Sequence, residues 1–174
     1  MSIMFTIESW YILIPLFGLY VAALLVLPPF AERKYSASQT MLLIAFGLYL
    51  SAVIHLVFFP IDVNIGRYAN QIPWYKSINI IPLVTLDVKT FLLNILMLVP
   101  LGIILPLVYS RFRSIKDVAL LGFGFSLSIE LLQLLIRVTL GSGRSTDIND
   151  LIANTVGCIL GFMILKILKR FPCV

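Results

Sequence analysis

From Leu151 to Leu165 the chain carries no charged side chain, while the residues just before it, Arg144–Asp150, hold an arginine and two aspartates. As a helix this run covers roughly 22 Å at 1.5 Å per residue, less than the ~30 Å of a bilayer core. To span a membrane it must draw its acidic end to the membrane edge or into it. Asp147, Asp150, Asn154, Gly157 and Gly161 are spaced three, four, three and four. That spacing is one stripe of an α-helix, polar at its mouth and glycine-lined deeper down.

The rest of the chain agrees. Of 174 residues 60% are hydrophobic and only 12% charged, and the mean hydropathy is +1.05. A soluble domain of this size has no use for so much apolar surface. Long unbroken apolar runs, rather than alternating ten-residue ones, specify helices and not a barrel. The fold class read here is all-α, a single integral membrane bundle of about five helices over residues 1–174. The net charge of +5 is spread at the flanks of apolar runs, which argues against nucleic-acid binding. Cys158 falls mid-helix and Cys173 at the end of the sequence, which suits neither a bridge nor a metal motif, and no cofactor signature is visible. The absence of any positively charged side chain in Met1–Glu8 and the lack of a small-residue cleavage site read as a retained anchor.

In order, the helices expected are Trp10–Leu27, stopped by Pro28–Pro29; Thr40–Phe59; Phe91–Val108, with Pro100 and Pro106 inside; Val118–Ile136; and Ile148–Leu168. Between Pro60 and Thr90 a long apolar connection is expected against the membrane surface. Placing the N-terminus outside puts eight of the Lys and Arg residues in cytoplasmic segments and five outside. The positive-inside rule therefore favours N-terminus out and C-terminus in. On that orientation His55, Asn94, Glu130, Gln133, Arg137, Arg144, Asp147, Asp150 and Asn154 all fall in the outer half, as one outward-facing polar cluster.

Glu130 sits about 18 Å along the fourth helix, just past the midplane. A charge there costs about 2.5–3.5 kcal/mol on insertion scales, so it must be neutralised, solvated or paired. Ser126, Glu130, Gln133 and Arg137 share one face, with Gly122 a turn deeper. The fourth and fifth helices are expected to pack stripe to stripe, through Gly122/Ser126 and Gly157/Gly161. Glu130, Asp147 and Asp150 are the residues that could act as acids or bases. The blander alternatives are interhelical glue for Glu130 and helix capping for Asp147 and Asp150. His55, Asn79, Asn94, Gln133, Arg137, Arg144 and Asn154 are the ligand-binding candidates, the arginines for anionic groups.

Four blocks resemble the VanZ-like family of small membrane proteins: NIIPL at Asn79–Leu83, NILMLVPLG at Asn94–Gly102, SIELLQ at Ser128–Gln133 and RSTDINDLIANTVGCILG at Arg144–Gly161. They lie within residues 79–161; Leu83 departs from the pattern, where an aromatic is expected after the proline. The resemblance implies a bacterial inner-membrane protein acting at the cell surface, in low-level resistance to teicoplanin-type lipoglycopeptides. The leading expectation joins this to the cluster: an outward-facing polar cavity that binds an amphiphile from the membrane, either a lipoglycopeptide or a lipid-linked envelope precursor. A second reading is an intramembrane enzyme acting on a lipid headgroup, and a third a proton-coupled carrier.

Overall fold

The structure, a computed structural model, describes residues 3–30, 35–66, 73–83, 86–109 and 111–170, with only the backbone described at 27–30. Part of the link after the first helix, the middle of the 60–90 connection and Cys173 lie outside these residues. The five expected helices are all present, each within a few residues of its expected limits. They are α1 (Trp10–Phe30), α2 (Ala37–Phe58), α3 (Val88–Val108), α4 (Ile115–Leu140) and α5 (Ile148–Arg170). Among the described residues four of them, α2 to α5, are long and apolar enough to cross a membrane; α1 contributes a shorter apolar stretch, Trp10–Val26.

Local chemistry accounts for the shifted limits. Periodicity alone starts α2 at Thr40, but Ser36 and Gln39 form a capping box, with Gln39 N–H donating to Ser36 Oγ at 3.2 Å and Ser36 N–H to Gln39 Oε1 at 3.0 Å. The helix therefore begins at Ala37. Ser114 caps α4 by accepting from Asp117 N–H at 3.1 Å. Gly141, with φ of +68°, ends it in the left-handed conformation that glycine adopts without strain. Asp87 caps α3, and that helix continues through both Pro100 and Pro106.

The chain divides into two compact units. In the first, Met4–Val63, α1 and α2 pair: the Tyr20 hydroxyl donates to Leu43 O at 2.7 Å, and its ring covers Gly47. Short strands β1 (Ile3–Ile7) and β2 (Ile61–Ile65) form a two-stranded sheet.

The second unit, from Asn64 onward, is built around α5. Helix α5 packs along α3, less extensively on α4, while α3 and α4 touch only briefly. Its buried positions come in adjacent pairs once per turn, Ala153–Asn154, Gly157–Cys158 and Gly161–Phe162, wide enough to serve two neighbours. A Cβ on Gly157 or Gly161 would collide with the carbonyls of Ile95 or Val99 in α3, and one on Gly102 with the Cys158 carbonyl. The glycines thus let two backbones touch, and that contact is α3 on α5. This corrects the expected pairing of Gly157 and Gly161 with α4. The α4–α5 contact runs instead through Gly122 against the Cys158 side chain and Ser126 against Asn154.

Two further strands, β3 (Ile78–Asn79) and β4 (Thr146–Asp147), pair in parallel with Asn79 opposite Asp147. A single 3₁₀ turn, Trp74–Ser77, leads into β3. An all-helix reading misses these strands because two residues are too few to alternate.

Candidate functional site

Helix α5 starts where α4 ends and α3 begins, and the polar residues of all three meet there. Glu130 lies on α4 and is only 4% exposed. Its Oε2 accepts the backbone N–H of Asp147 at 3.0 Å, and its backbone carbonyl accepts the Thr146 hydroxyl at 3.3 Å. The acid therefore ties α4 to the strand that opens α5.

Asp147 has two duties. Its Oδ1 accepts the Asn149 N–H at 2.8 Å, as an N-cap does, so the capping alternative holds. Both its oxygens also accept from Asn79 Nδ2, at 3.0 and 3.1 Å, an amide delivered by the β3–β4 pairing. Asp150, in the first turn of α5, accepts from Asn94 Nδ2 in the first turns of α3. Asn154 follows, 2% exposed, with Nδ2 donating to Ser126 Oγ at 2.9 Å across to α4. The carboxylates are thus met by amide and backbone N–H donors from other elements, the arrangement that keeps a buried acid tolerable.

Arg137 closes the site on the side of the α4–α5 link. Its Nη1 donates to the Arg144 carbonyl at 2.7 Å and folds the Gly141–Ser145 link back on α4. Gln133 shares the α4 face, half-buried between Glu130 and Arg137. His55 belongs to the other unit, where its Nδ1 lies 2.9 Å from Ser9 Oγ. The sequence reading passed over Asn149. It is 4% exposed and its Oδ1 accepts the Leu83 N–H at 2.8 Å, pinning a loop whose Leu83 has φ of +66°. A leucine in that region is a genuine backbone outlier. The available signal was the DIND run itself, in which an asparagine sits between the two acids.

Among the described residues, the buried side-chain atoms Asn149 Nδ2, Asn154 Oδ1 and Arg137 Nε of this end have no hydrogen-bond partner. Two are donors and one an acceptor, so the site retains hydrogen-bonding capacity beyond what it spends on itself. Among the described residues no group of three or more His, Cys, Asp or Glu side chains is placed to hold a metal ion.

Spanning-length apolar helices around a small buried polar cluster define a multi-pass helical membrane protein. A family model described as VanZ/LLP1 matches residues 46–169, so the chain belongs to the VanZ/LLP1 family. It is also 29% identical over 116 residues to "Protein VanZ" of Enterococcus faecium, covering 66% of this chain and 67% of that protein. No solved structure matches.

Proposed function

We propose that this VanZ-family protein holds the polar head of an amphiphile at the carboxylate–amide cluster around Glu130, with its apolar part left among the lipid. The observation that carries the reading is the set of buried donors and acceptor, unpartnered among the described residues, where α4 ends and α5 begins. Unsatisfied buried groups of this kind cost about 1–3 kcal/mol each, a cost that a ligand's own hydrogen bonds would remove. Arg137 and Arg144 suit the ligand's anionic groups. The charge balance of the loops supports an outward-facing site. Family membership supports ligands of the envelope, a teicoplanin-type lipoglycopeptide or a lipid-linked precursor, and a part in low-level resistance.

The test is binding of both ligand classes to purified protein in nanodiscs, beside glycopeptide susceptibility of cells carrying each variant. Arg144→Ala should weaken binding about tenfold or more, the usual consequence of losing a charged hydrogen bond, and should raise susceptibility. If neither ligand binds and Arg144→Ala leaves resistance intact, the reading is wrong.

A further inference from the structure

At the opposite end of the same unit lies a second feature that the Glu130 site does not use. A pocket of about 380 Å³ opens between the last turns of α3 and α5 and the segment leading into α4. Its cationic lining is Arg113, Lys166 and Lys169, and its apolar lining includes Phe112, Phe162 and Leu165. None of the described residues that line it is acidic. The three cations are exposed, whereas Phe162 and Leu165 are 3% and 7% exposed and form its floor. The Lys166 ammonium lies 4.9 Å from the centre of the Phe162 ring, so one cation is drawn over the apolar part.

The order of these residues along α5 carries the argument. Phe162 and Leu165 come first, then Lys166 and Lys169, an axial spread of about 10 Å at 1.5 Å per residue. That is enough to cross the headgroup layer, about 5–7 Å on each side when a ~30 Å core widens to about 40–45 Å, and to reach the hydrocarbon edge. Beside the pocket, Met163, Ile164, Ile167 and Leu168 are exposed apolar side chains of the same helix, suited to lipid. A ligand filling this pocket therefore needs an anionic head and an apolar tail in that sequence.

We infer that this pocket is a binding site for an anionic phospholipid, its phosphate held by Arg113, Lys166 and Lys169 and the start of its acyl chains laid on Phe162 and Leu165. The site is separate from the Glu130 cluster and does not depend on what that cluster binds. Free phosphate shares the head's chemistry but has nothing to set against the apolar floor.

The experiment uses the full chain in a neutral detergent, titrated in turn with phosphatidylglycerol, phosphatidylcholine and inorganic phosphate while the thermal midpoint is followed. Phosphatidylglycerol should raise the midpoint, and the other two should not at equal concentration. Each charge removed, as in Lys169→Gln, should weaken the apparent affinity for phosphatidylglycerol roughly five-fold. The Arg113→Gln/Lys166→Gln/Lys169→Gln combination should abolish the response. Equal shifts from the two lipids would overturn the assignment, as would a shift from phosphate matching that of phosphatidylglycerol. So would an unchanged phosphatidylglycerol affinity in Lys169→Gln, a single exposed substitution that leaves the packing intact.

Discussion

Glu130 presents one carboxylate oxygen to the Asp147 N–H, and a glutamine carbonyl would serve that donor as well. Glu130→Gln is therefore expected to match the wild-type thermal midpoint in detergent, since a neutral amide is cheaper to bury than a carboxylate. Glu130→Leu strands the Asp147 N–H and should lose about 1–3 kcal/mol. Resistance separates the two roles: the proposed function requires Glu130→Gln to fold and yet lose it, and a fully active glutamine variant would reduce Glu130 to packing. Asp87 offers a pH test outside the spanning segments. The Thr90 hydroxyl at 2.6 Å, and then the Lys89 N–H at 3.1 Å, hold its carboxyl below the ordinary aspartate range. Its capping of α3 is thus fully present above that range and fades as pH falls through the lowered value. Asp87→Asn should flatten that part of an acid stability profile. At this scale the sequence named the acids and amides that meet, because charge inside apolar helices is rare enough to stand out. Asn149 escaped, since its role depends on Leu83, a residue 66 positions away that no spacing rule connects to it.

Glycine is where the elements diverge from their expected partners. A Cβ at Gly157 meets the fixed Ile95 carbonyl rather than a movable side chain, so Gly157→Ala must push α3 from α5 and should cost about 1–3 kcal/mol. Gly124→Ala is the control, because nothing lies near its Cβ position. It should be neutral or slightly stabilising, as alanine replaces glycine within a helix. Equal losses in detergent unfolding would contradict the α3–α5 contact. Helix existence was legible from apolar length, and the stripe on α5 from its three-four spacing. The stripe's partner was not. Gly157 and Asn154 differ by about 60° around the helix at 100° per residue, enough to face different neighbours, while periodicity reports only that both are on the inner side.

For the whole molecule the expected direction follows from the charge count of the loops. Single cysteines at Lys76 and at Lys116, both exposed, would test it in a Cys173→Ser background, with Cys158 left in place because it is buried. An impermeant thiol reagent added to intact cells should label the first and spare the second. The reverse pattern would turn the Glu130 site toward the cytoplasm and end the outward-facing proposal. The parallel pairing of Asn79 with Asp147 bears on something else, the order of assembly. The two residues are 68 apart in sequence, and α3 and α4 both lie in the stretch between them. Closing so long a loop is entropically costly, so this contact is expected to form late. Glu130 precedes Asp147, whose N–H it accepts, in the chain, and an unaccompanied acid within a spanning helix carries an insertion cost of about 2.5–3.5 kcal/mol. On that cost the fourth helix is expected to enter the membrane together with the fifth, as a hairpin.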